Sequence, residues 1–184
     1  MRTVNFNNVT IEIRQGDIVN QPDCDCIVNA ANAQLRIGGG VAGAIHRTAG
    51  ESLTRETRPL APIKTGEAVI TGGHNLPNEK IIHCLGPVYG RDEPSDEYLE
   101  ACYRNALHVA SENQITSIAF PAISTGAFGF PLKEAADISL KTVKRTITEN
   151  NLQHIGLIRF VLWSDKALTI HEKAVDRVFG QANV

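Results

Sequence analysis

Residues 29–50 read "NAANAQLRIGGGVAGAIHRTAG" and place Gly38, Gly40 and Gly43 in the spacing G-x-G-x-x-G. This spacing is typical of the turn that binds the pyrophosphate of a dinucleotide cofactor. Such a turn directly follows the first strand of its fold, and an acidic residue ends the next strand about twenty positions later. Here "ANAQLRI" precedes the glycines, and Pro59 and Pro62 exclude a strand where the acidic residue would lie. The context disfavours an NAD-dependent oxidoreductase, and a glycine turn without a ligand remains an alternative.

A second glycine loop, "STGAFGFP" at residues 124–131, also lies between a predicted strand and a predicted helix. Two such loops at strand ends would bring free backbone N–H groups and helix N-termini to one edge of a sheet. This geometry binds a pyrophosphate without a metal ion or a lysine. The chain has no G-x-x-x-x-G-K-[ST] motif, so we do not expect phosphoryl transfer of the P-loop kind.

Predicted strands and helices alternate around these loops, which favours an α/β fold with helices on both faces of a sheet. The strands are predicted at residues 3–6, 9–13, 24–30, 67–73, 80–86, 116–123 and 155–163. Helices are predicted at 95–113, with Ser95 as the N-cap, at 131–150, with Pro131 in the first helical position, and at 165–179. We find no repeat or linker, so residues 1–184 are predicted to form one domain.

Composition excludes several other classes. The 184 residues suit one domain with a sizeable core. The formal net charge of −2 gives no indication of nucleic-acid or anionic-membrane binding. No apolar run is long enough to cross a bilayer and the N-terminus lacks a signal-peptide pattern, so we expect a cytoplasmic protein. The four cysteines are expected to be reduced and mostly buried.

Cys24 and Cys26 are separated by one residue and could form half of a metal site. We expect their side chains to point to opposite faces of a strand. The histidines show no metal-ligand spacing either. We therefore expect neither a metal ion nor a cofactor.

Four segments in order resemble the macrodomain family, which binds ADP-ribose: "QGDIVN" at 15–20, "IVNAAN" at 27–32, "GGGVAGAIHRTAG" at 38–50 and "PAISTGAFGFP" at 121–131. The likeness is greatest to the MacroD-type branch, whose pattern includes G-G-G-V-D-G-A-I-H. It implies a three-layer α/β/α sandwich around a mixed, mainly parallel sheet, with ADP-ribose bound at the strand ends. It also implies a monomer that hydrolyses mono-ADP-ribose from modified Asp or Glu side chains of proteins, or that deacetylates O-acetyl-ADP-ribose.

At the adenine end, the resemblance assigns Asp17 as the acceptor for the adenine amino group, with Ile18 beside it. It places Trp163 against the adenine ring. A carboxylate selects an N–H donor, and a large flat side chain suits a purine. Asp17 could instead be only a turn residue after Gly16, and Trp163 could pack in the core.

At the other end, the resemblance assigns Asn32 to the distal ribose, which carries the leaving group, and places Phe128 over the same sugar. Asn32 or Asn29 could instead bond to the backbone at the strand end, and Phe128 could be a hydrophobic plug. The two glycine loops supply the other implied ligand positions: Gly38, Gly39, Gly40 and Val41 at the distal ribose and phosphate, and Ser124, Thr125, Gly126, Ala127 and Phe128 around the pyrophosphate.

The implied catalytic positions are Asn32, Ala42, His46 and Phe128. His46 lies on the same helical face as position 42, although a histidine one turn into a helix is more often structural. Ala42 replaces the aspartate of the MacroD-type pattern, so hydrolysis is expected to be impaired while binding is retained. The alternative is a non-catalytic ADP-ribose reader module. A poly(ADP-ribose) glycohydrolase is excluded because residues 44–56 contain no Gln-Glu-Glu.

Overall fold

The computed structural model describes residues 1–149 and 152–180. The strands are β1 (Arg2–Phe6), β2 (Val9–Gln15), β3 (Cys26–Ala30), β4 (Ala68–Gly72), β5 (Lys80–Cys84), β6 (Ser117–Phe120) and β7 (Leu157–Leu162). The α-helices are α1 (Gly40–Ala49), α2 (Glu51–Thr57), α3 (Ser95–Glu112), α4 (Leu132–Glu149) and α5 (Asp165–Phe179), and a 3-10 turn spans Arg58–Leu60. All seven predicted strands and the three predicted helices are present. The predicted end of the second helix, residue 150, lies outside the described residues.

The seven strands form one sheet in the order β1-β2-β7-β6-β3-β5-β4. The outer pairs, β1 with β2 and β5 with β4, are antiparallel. The four inner pairings, from β2 through β7, β6 and β3 to β5, are parallel. The predicted mixed, mainly parallel sheet is therefore confirmed, and the inner strands all end at one edge.

Helices cover both faces of the sheet, which confirms the three-layer sandwich. On one face, Val28 belongs to a large apolar cluster that includes residues of α3, α4 and α5. On the other face, its neighbour Ile27 packs with Ile45 of α1 and Leu53 of α2. Successive residues of a strand point to opposite faces, so buried inner strands need apolar residues at nearly every position. No helix among the described residues is long and apolar enough to cross a membrane.

Two predicted helix starts were wrong in detail. Pro94, not Ser95, is the N-cap of α3, and the Ser95 hydroxyl donates to the Asp92 carbonyl at 2.6 Å instead of capping the helix. Pro131 lies just before α4, where its carbonyl accepts from the Ala135 N–H. Helix α2 was not predicted, because its seven residues between Gly50 and Pro59 are too few to show a helical period.

All four cysteines are buried free thiols in the described structure. Cys24 and Cys26 do face different apolar clusters, as expected, but strand alternation is not the reason. Residues two apart in a strand share a face. The two differ because β3 begins only at Cys26, and Cys24 belongs to the connection before it.

Candidate functional site

The connections that follow β3 and β6 enclose a cavity of about 380 Å³ at the edge where the parallel strands end. Its lining comes from residues 30–32, 38–42, 86, 122–124 and 126–128. The structure thus brings together both glycine loops, Asn32, Ala42 and Phe128. Asp17, Ile18, Thr125, Trp163 and His46 do not line this cavity.

The first glycine loop leads into α1, whose N-terminus faces the cavity. Gly39 is the N-cap and makes no side-chain cap, and the Gly43 N–H donates to its carbonyl at 3.2 Å. The N–H groups that precede Gly43 in the first turn have no partner within the helix. Gly40 has a φ of +55°, and a Cβ at Gly43 would collide with the Gly38 carbonyl oxygen. Two glycines of the motif therefore shape the loop itself.

The second glycine loop offers further N–H groups. Its backbone hydrogen bonds use the N–H groups of Thr125, Gly129 and Phe130. Within the described chain, the N–H groups of residues 126–128 donate to no other atom. Thr125 points elsewhere, because its hydroxyl donates to the Ala122 carbonyl at 2.8 Å. Three consecutive residues with free N–H groups therefore lie at the wall of the cavity.

Gly86, which follows β5, is a cavity residue that the sequence analysis missed. A Cβ at this position would collide with the Ser124 hydroxyl oxygen and with Ile123. Ser124 is itself buried with a φ of +66°, and its hydroxyl has no partner among the described residues. The only signal in the sequence was a glycine at the end of a predicted strand.

Asn32 is held by the loop that it begins. Its amide nitrogen donates to the Arg36 carbonyl at 2.8 Å, and its amide oxygen accepts from the Arg36 N–H at 3.0 Å. Asn32 therefore bonds to the backbone of Arg36, in the loop after β3. An amide has a second N–H and a second lone pair, so this arrangement fixes the group while leaving it able to bind a ligand.

His46 is buried and is not among the residues that line the cavity. The residue is only 3% exposed, and neither nitrogen of its imidazole ring has a hydrogen-bond partner among the described residues. Burial lowers the pKa of His46, which keeps the ring neutral at physiological pH. His46 could act on a substrate only through groups between it and the cavity.

A second buried histidine, His83, joins strands β3, β5 and β4. Its Nδ1 lies 3.0 Å from the Asn29 amide nitrogen, and its Nε2 lies 2.9 Å from the Thr71 hydroxyl. Because Thr71 donates to the Gly72 carbonyl at 3.1 Å, the hydroxyl accepts from Nε2–H, and Nδ1 accepts from Asn29. Burial lowers the pKa of His83 to about 3, so this ring is neutral.

The positions assigned to adenine lie together at the ends of β2 and β7. The Gly16 N–H donates to the Leu162 carbonyl, and the Gln15 amide donates to the Trp163 carbonyl at 3.4 Å. Asp17 is exposed and one carboxylate oxygen accepts from the Val19 N–H, as a turn residue would. Trp163 is 79% exposed, so the alternative that it packs in the core was wrong.

Comparison with known proteins identifies the class of this fold and site. Residues 28–139 match the family described as Macro domain. The chain belongs to this family, which confirms the resemblance seen in the sequence.

Individual relatives agree with this assignment. The chain is 40% identical over 171 residues to ADP-ribose glycohydrolase MACROD2 of Xenopus laevis, a match that covers 92% of this chain and 40% of that protein. The Oceanobacillus iheyensis macrodomain with ADP superposes with a TM-score of 0.91 at 37% identity, covering 97% of this chain and 96% of the other. The Trypanosoma brucei macrodomain in complex with ADP-ribose has a TM-score of 0.82 at 34% identity, covering 91% and 69%.

Proposed function

We propose that this chain is a monomeric macrodomain that binds ADP-ribose across the edge where β2, β7, β6 and β3 end. The observation that carries the proposal is the pair of glycine loops around one cavity. One loop presents the N-terminus of α1, and the other presents the N–H groups of residues 126–128. Free N–H groups and a helix N-terminus together stabilise an anion such as a pyrophosphate.

The distance between the two ends of the proposed site suits an elongated ligand. Asp17 and Trp163 follow β2 and β7, whereas Asn32 follows β3, with β6 in between. Neighbouring strands are about 4.8 Å apart, so three spacings separate the ends of β2 and β3 by roughly 14 Å. A nucleoside diphosphate linked to a second ribose spans this distance, with its pyrophosphate over the β6 loop.

We further propose that the substrate is an ADP-ribosyl ester, either on an Asp or Glu side chain of a protein or in O-acetyl-ADP-ribose. The distal ribose would lie against Asn32 and Phe128, which both line the cavity. Release of ADP-ribose from the protein ester by cleavage at the sugar requires a water molecule held near the anomeric carbon and stabilisation of the positive charge that develops on the sugar. Deacetylation of O-acetyl-ADP-ribose requires instead a water molecule held near the acetyl carbonyl carbon, with acetate as the leaving product. The relative named ADP-ribose glycohydrolase supports this reaction class.

One observation favours a second candidate, a reader module that binds ADP-ribose without turnover. The first turn of α1 has no acidic residue, and its two side chains that line the cavity, Val41 and Ala42, are both apolar. A methyl group can neither orient a water molecule nor stabilise a cation. We therefore propose that this chain hydrolyses its substrate slowly. If the rate is zero, the chain is a reader module that only binds ADP-ribose.

Calorimetric titration with ADP-ribose, ADP and NAD, with and without EDTA, tests the binding proposal. We expect ADP-ribose to bind most tightly, and EDTA to have no effect because backbone N–H groups balance the pyrophosphate charge. Tighter binding of NAD would favour an oxidoreductase, and loss of binding in EDTA would refute the metal-free site. Single-turnover release of ADP-ribose from a Glu-modified protein then separates hydrolase from reader.

A further inference from the structure

The segment that carries Asp17 is attached to the sheet by its own set of buried contacts. Residues 18, 19 and 24 of this segment, which spans residues 16–25, pack in the same apolar cluster as Ile45 of α1 and Leu53 of α2. Ile18 and Cys24 of this segment pack in one apolar cluster with Val161 of β7. The position of Asp17 therefore depends on how this segment is held.

Arg159 of β7 is the main polar anchor of the segment. The residue is only 2% exposed, and its guanidinium donates to Glu12 on the neighbouring strand at 2.7 Å. It also donates to both carboxylate oxygens of Asp23 at 2.8 and 2.7 Å. The guanidinium lowers the pKa of Asp23 to about 2, so this ion pair persists at physiological pH.

Gln21 connects this anchor to Asp17. The residue is 4% exposed, and its amide oxygen accepts from Arg159 at 3.0 Å. Its amide nitrogen donates to the Asp17 carbonyl at 2.8 Å. A guanidinium only donates hydrogen bonds, so the Gln21 amide oxygen must face Arg159. The Gln21 amide nitrogen is therefore directed at the Asp17 carbonyl.

Asn78 holds the C-terminal part of the segment in place. The Asn78 amide donates to the carbonyls of Gln21 and Cys24, both at 2.8 Å. Asp17 is exposed, and its carboxylate accepts only a turn N–H within the described structure. The buried contacts of Gln21 therefore hold the backbone of a residue whose side chain is otherwise free to face a ligand.

We propose that Gln21, oriented by Arg159, is a positioning residue that directs the Asp17 carboxylate at a 6-amino purine and so sets the base preference of the site. This inference rests on the proposed ADP-ribose function. A carboxylate accepts from a 6-amino group and repels a 6-oxo group. The base is thus selected only while the Asp17 backbone is held at a fixed orientation.

Gln21→Glu is the most informative variant, because a carboxylate still accepts from Arg159 but cannot donate to the Asp17 carbonyl. Asn105→Asp is the matched control. Asn105, on α3, also donates its amide nitrogen to a backbone carbonyl, that of Gly66 at 2.8 Å, on the helical layer away from the cavity. Both variants exchange an amide for an acid and remove one such hydrogen bond.

The measurement is the ratio of the dissociation constants for ADP-ribose and for its hypoxanthine analogue. In the unmodified chain we expect ADP-ribose to bind more tightly. Gln21→Glu should weaken ADP-ribose binding about threefold to tenfold and reduce the preference by a similar factor, as expected for one lost hydrogen bond. Gln21→Met, which removes both contacts without adding a charge, should shift the ratio in the same direction, and Asn105→Asp should not shift it.

The outcomes separate this inference from the function on which it rests. If the unmodified chain does not bind ADP-ribose, the proposed function is wrong. If it binds and the ratio is the same in the Gln21 variants, only the positioning role is wrong. An equal loss of affinity for both ligands would likewise overturn the inference, because it would indicate general damage to the domain.

Discussion

Gly39 and Gly126 face the same cavity from two different loops, and the fold requires neither of them to be glycine. A Cβ at either position would meet no atom within 4 Å, and neither residue has a positive φ. Gly43 and Gly86, in contrast, are required by contacts inside the protein. Open space beside two unconstrained glycines is what a ligand that closely approaches the backbone would need.

Gly126→Glu is therefore expected to abolish ADP-ribose binding without unfolding the chain. The new side chain has room in the free protein, but it brings a negative charge among the N–H groups that would hold the pyrophosphate. Gly156→Glu is the control, because Gly156 is also exposed and without a positive φ, and it precedes β7 at the opposite edge of the sheet. Calorimetry with ADP-ribose and a thermal melt check both variants. Retained binding by Gly126→Glu would place the ligand elsewhere.

Asp17→Ala is expected to weaken ADP-ribose binding by about tenfold or more. A hydrogen bond to a charged group contributes about 1.5–3 kcal/mol, and alanine leaves the adenine amino group without its acceptor. Thermal stability should change little, since the carboxylate is exposed and accepts only one turn N–H. Asp96→Ala, an exposed carboxylate in the first turn of α3, controls for the loss of one charge. An unchanged dissociation constant for Asp17→Ala would remove this residue from the site.

The free energy of unfolding is expected to fall as the pH is lowered from 7 to 5. Burial lowers the pKa of His83 to about 3 from an ordinary 6.5, and burial also lowers the pKa of His46 and His171. Below pH 6.5 the unfolded chain therefore binds protons that the folded chain does not, which destabilises the fold until about pH 3. His83 alone accounts for about 2 kcal/mol between pH 7 and pH 5.

Urea unfolding at several pH values measures this effect. His83→Asn should be less stable at pH 7, because it loses buried hydrogen bonds, but its stability should depend less steeply on pH. His154→Asn serves as the control, since His154 is exposed to water in the folded chain. An equal pH slope for His83→Asn and the unmodified chain would show that His83 does not titrate as its burial implies.

Much of the fold could be predicted because the spacing of apolar residues and the positions of glycine and proline are local features of the sequence. The strand "IGLIRFVLW" and the helix after it were found from apolar runs and spacing, and α5 begins and ends at the predicted residues. Gly38, Gly40 and Gly43 were found for the same reason, although their spacing first indicates a different class of protein. The failures were also local: Ser95 has the residue type of an N-cap but is already helical.

The parts of the site that escaped prediction depend on contacts between distant segments. Gly86 is a glycine because Ser124, 38 residues later, occupies the space of its side chain. Arg159 donates to Gln21, which is 138 residues away in the sequence. The residues around an arginine in an apolar strand do not indicate which distant side chain it will contact. For Trp163, residue type alone favoured burial, and only the resemblance predicted a position beside a ligand. The residue lies after the end of β7 and is exposed.

Ala42→Asp introduces the aspartate of the MacroD-type pattern and is expected to increase the rate of hydrolysis. Ala42 lies in the first turn of α1 and lines the cavity. A Cβ at Gly38 would lie 3.8 Å from the Ala42 Cβ and 3.3 Å from the Asn32 amide nitrogen, so positions 42 and 32 approach each other across Gly38. A carboxylate at position 42 would reach the region assigned to the distal ribose, at a helix N-terminus that stabilises negative charge.

Ala42→Asp should therefore increase the rate of ester hydrolysis by about 10²–10⁴-fold, the usual contribution of a positioned general base, with a much smaller change in ADP-ribose affinity. The measurement is single-turnover release of ADP-ribose from a Glu-modified protein at saturating enzyme. Ala42→Asn has nearly the same shape without the charge, and Ala44→Asp places the same charge on α1 outside the cavity lining. Neither should accelerate the reaction. If Ala42→Asp and the unmodified chain react at equal rates, position 42 is not catalytic in this protein, and the chemistry depends on Asn32, on His46, or on a phosphate of the substrate that orients the water.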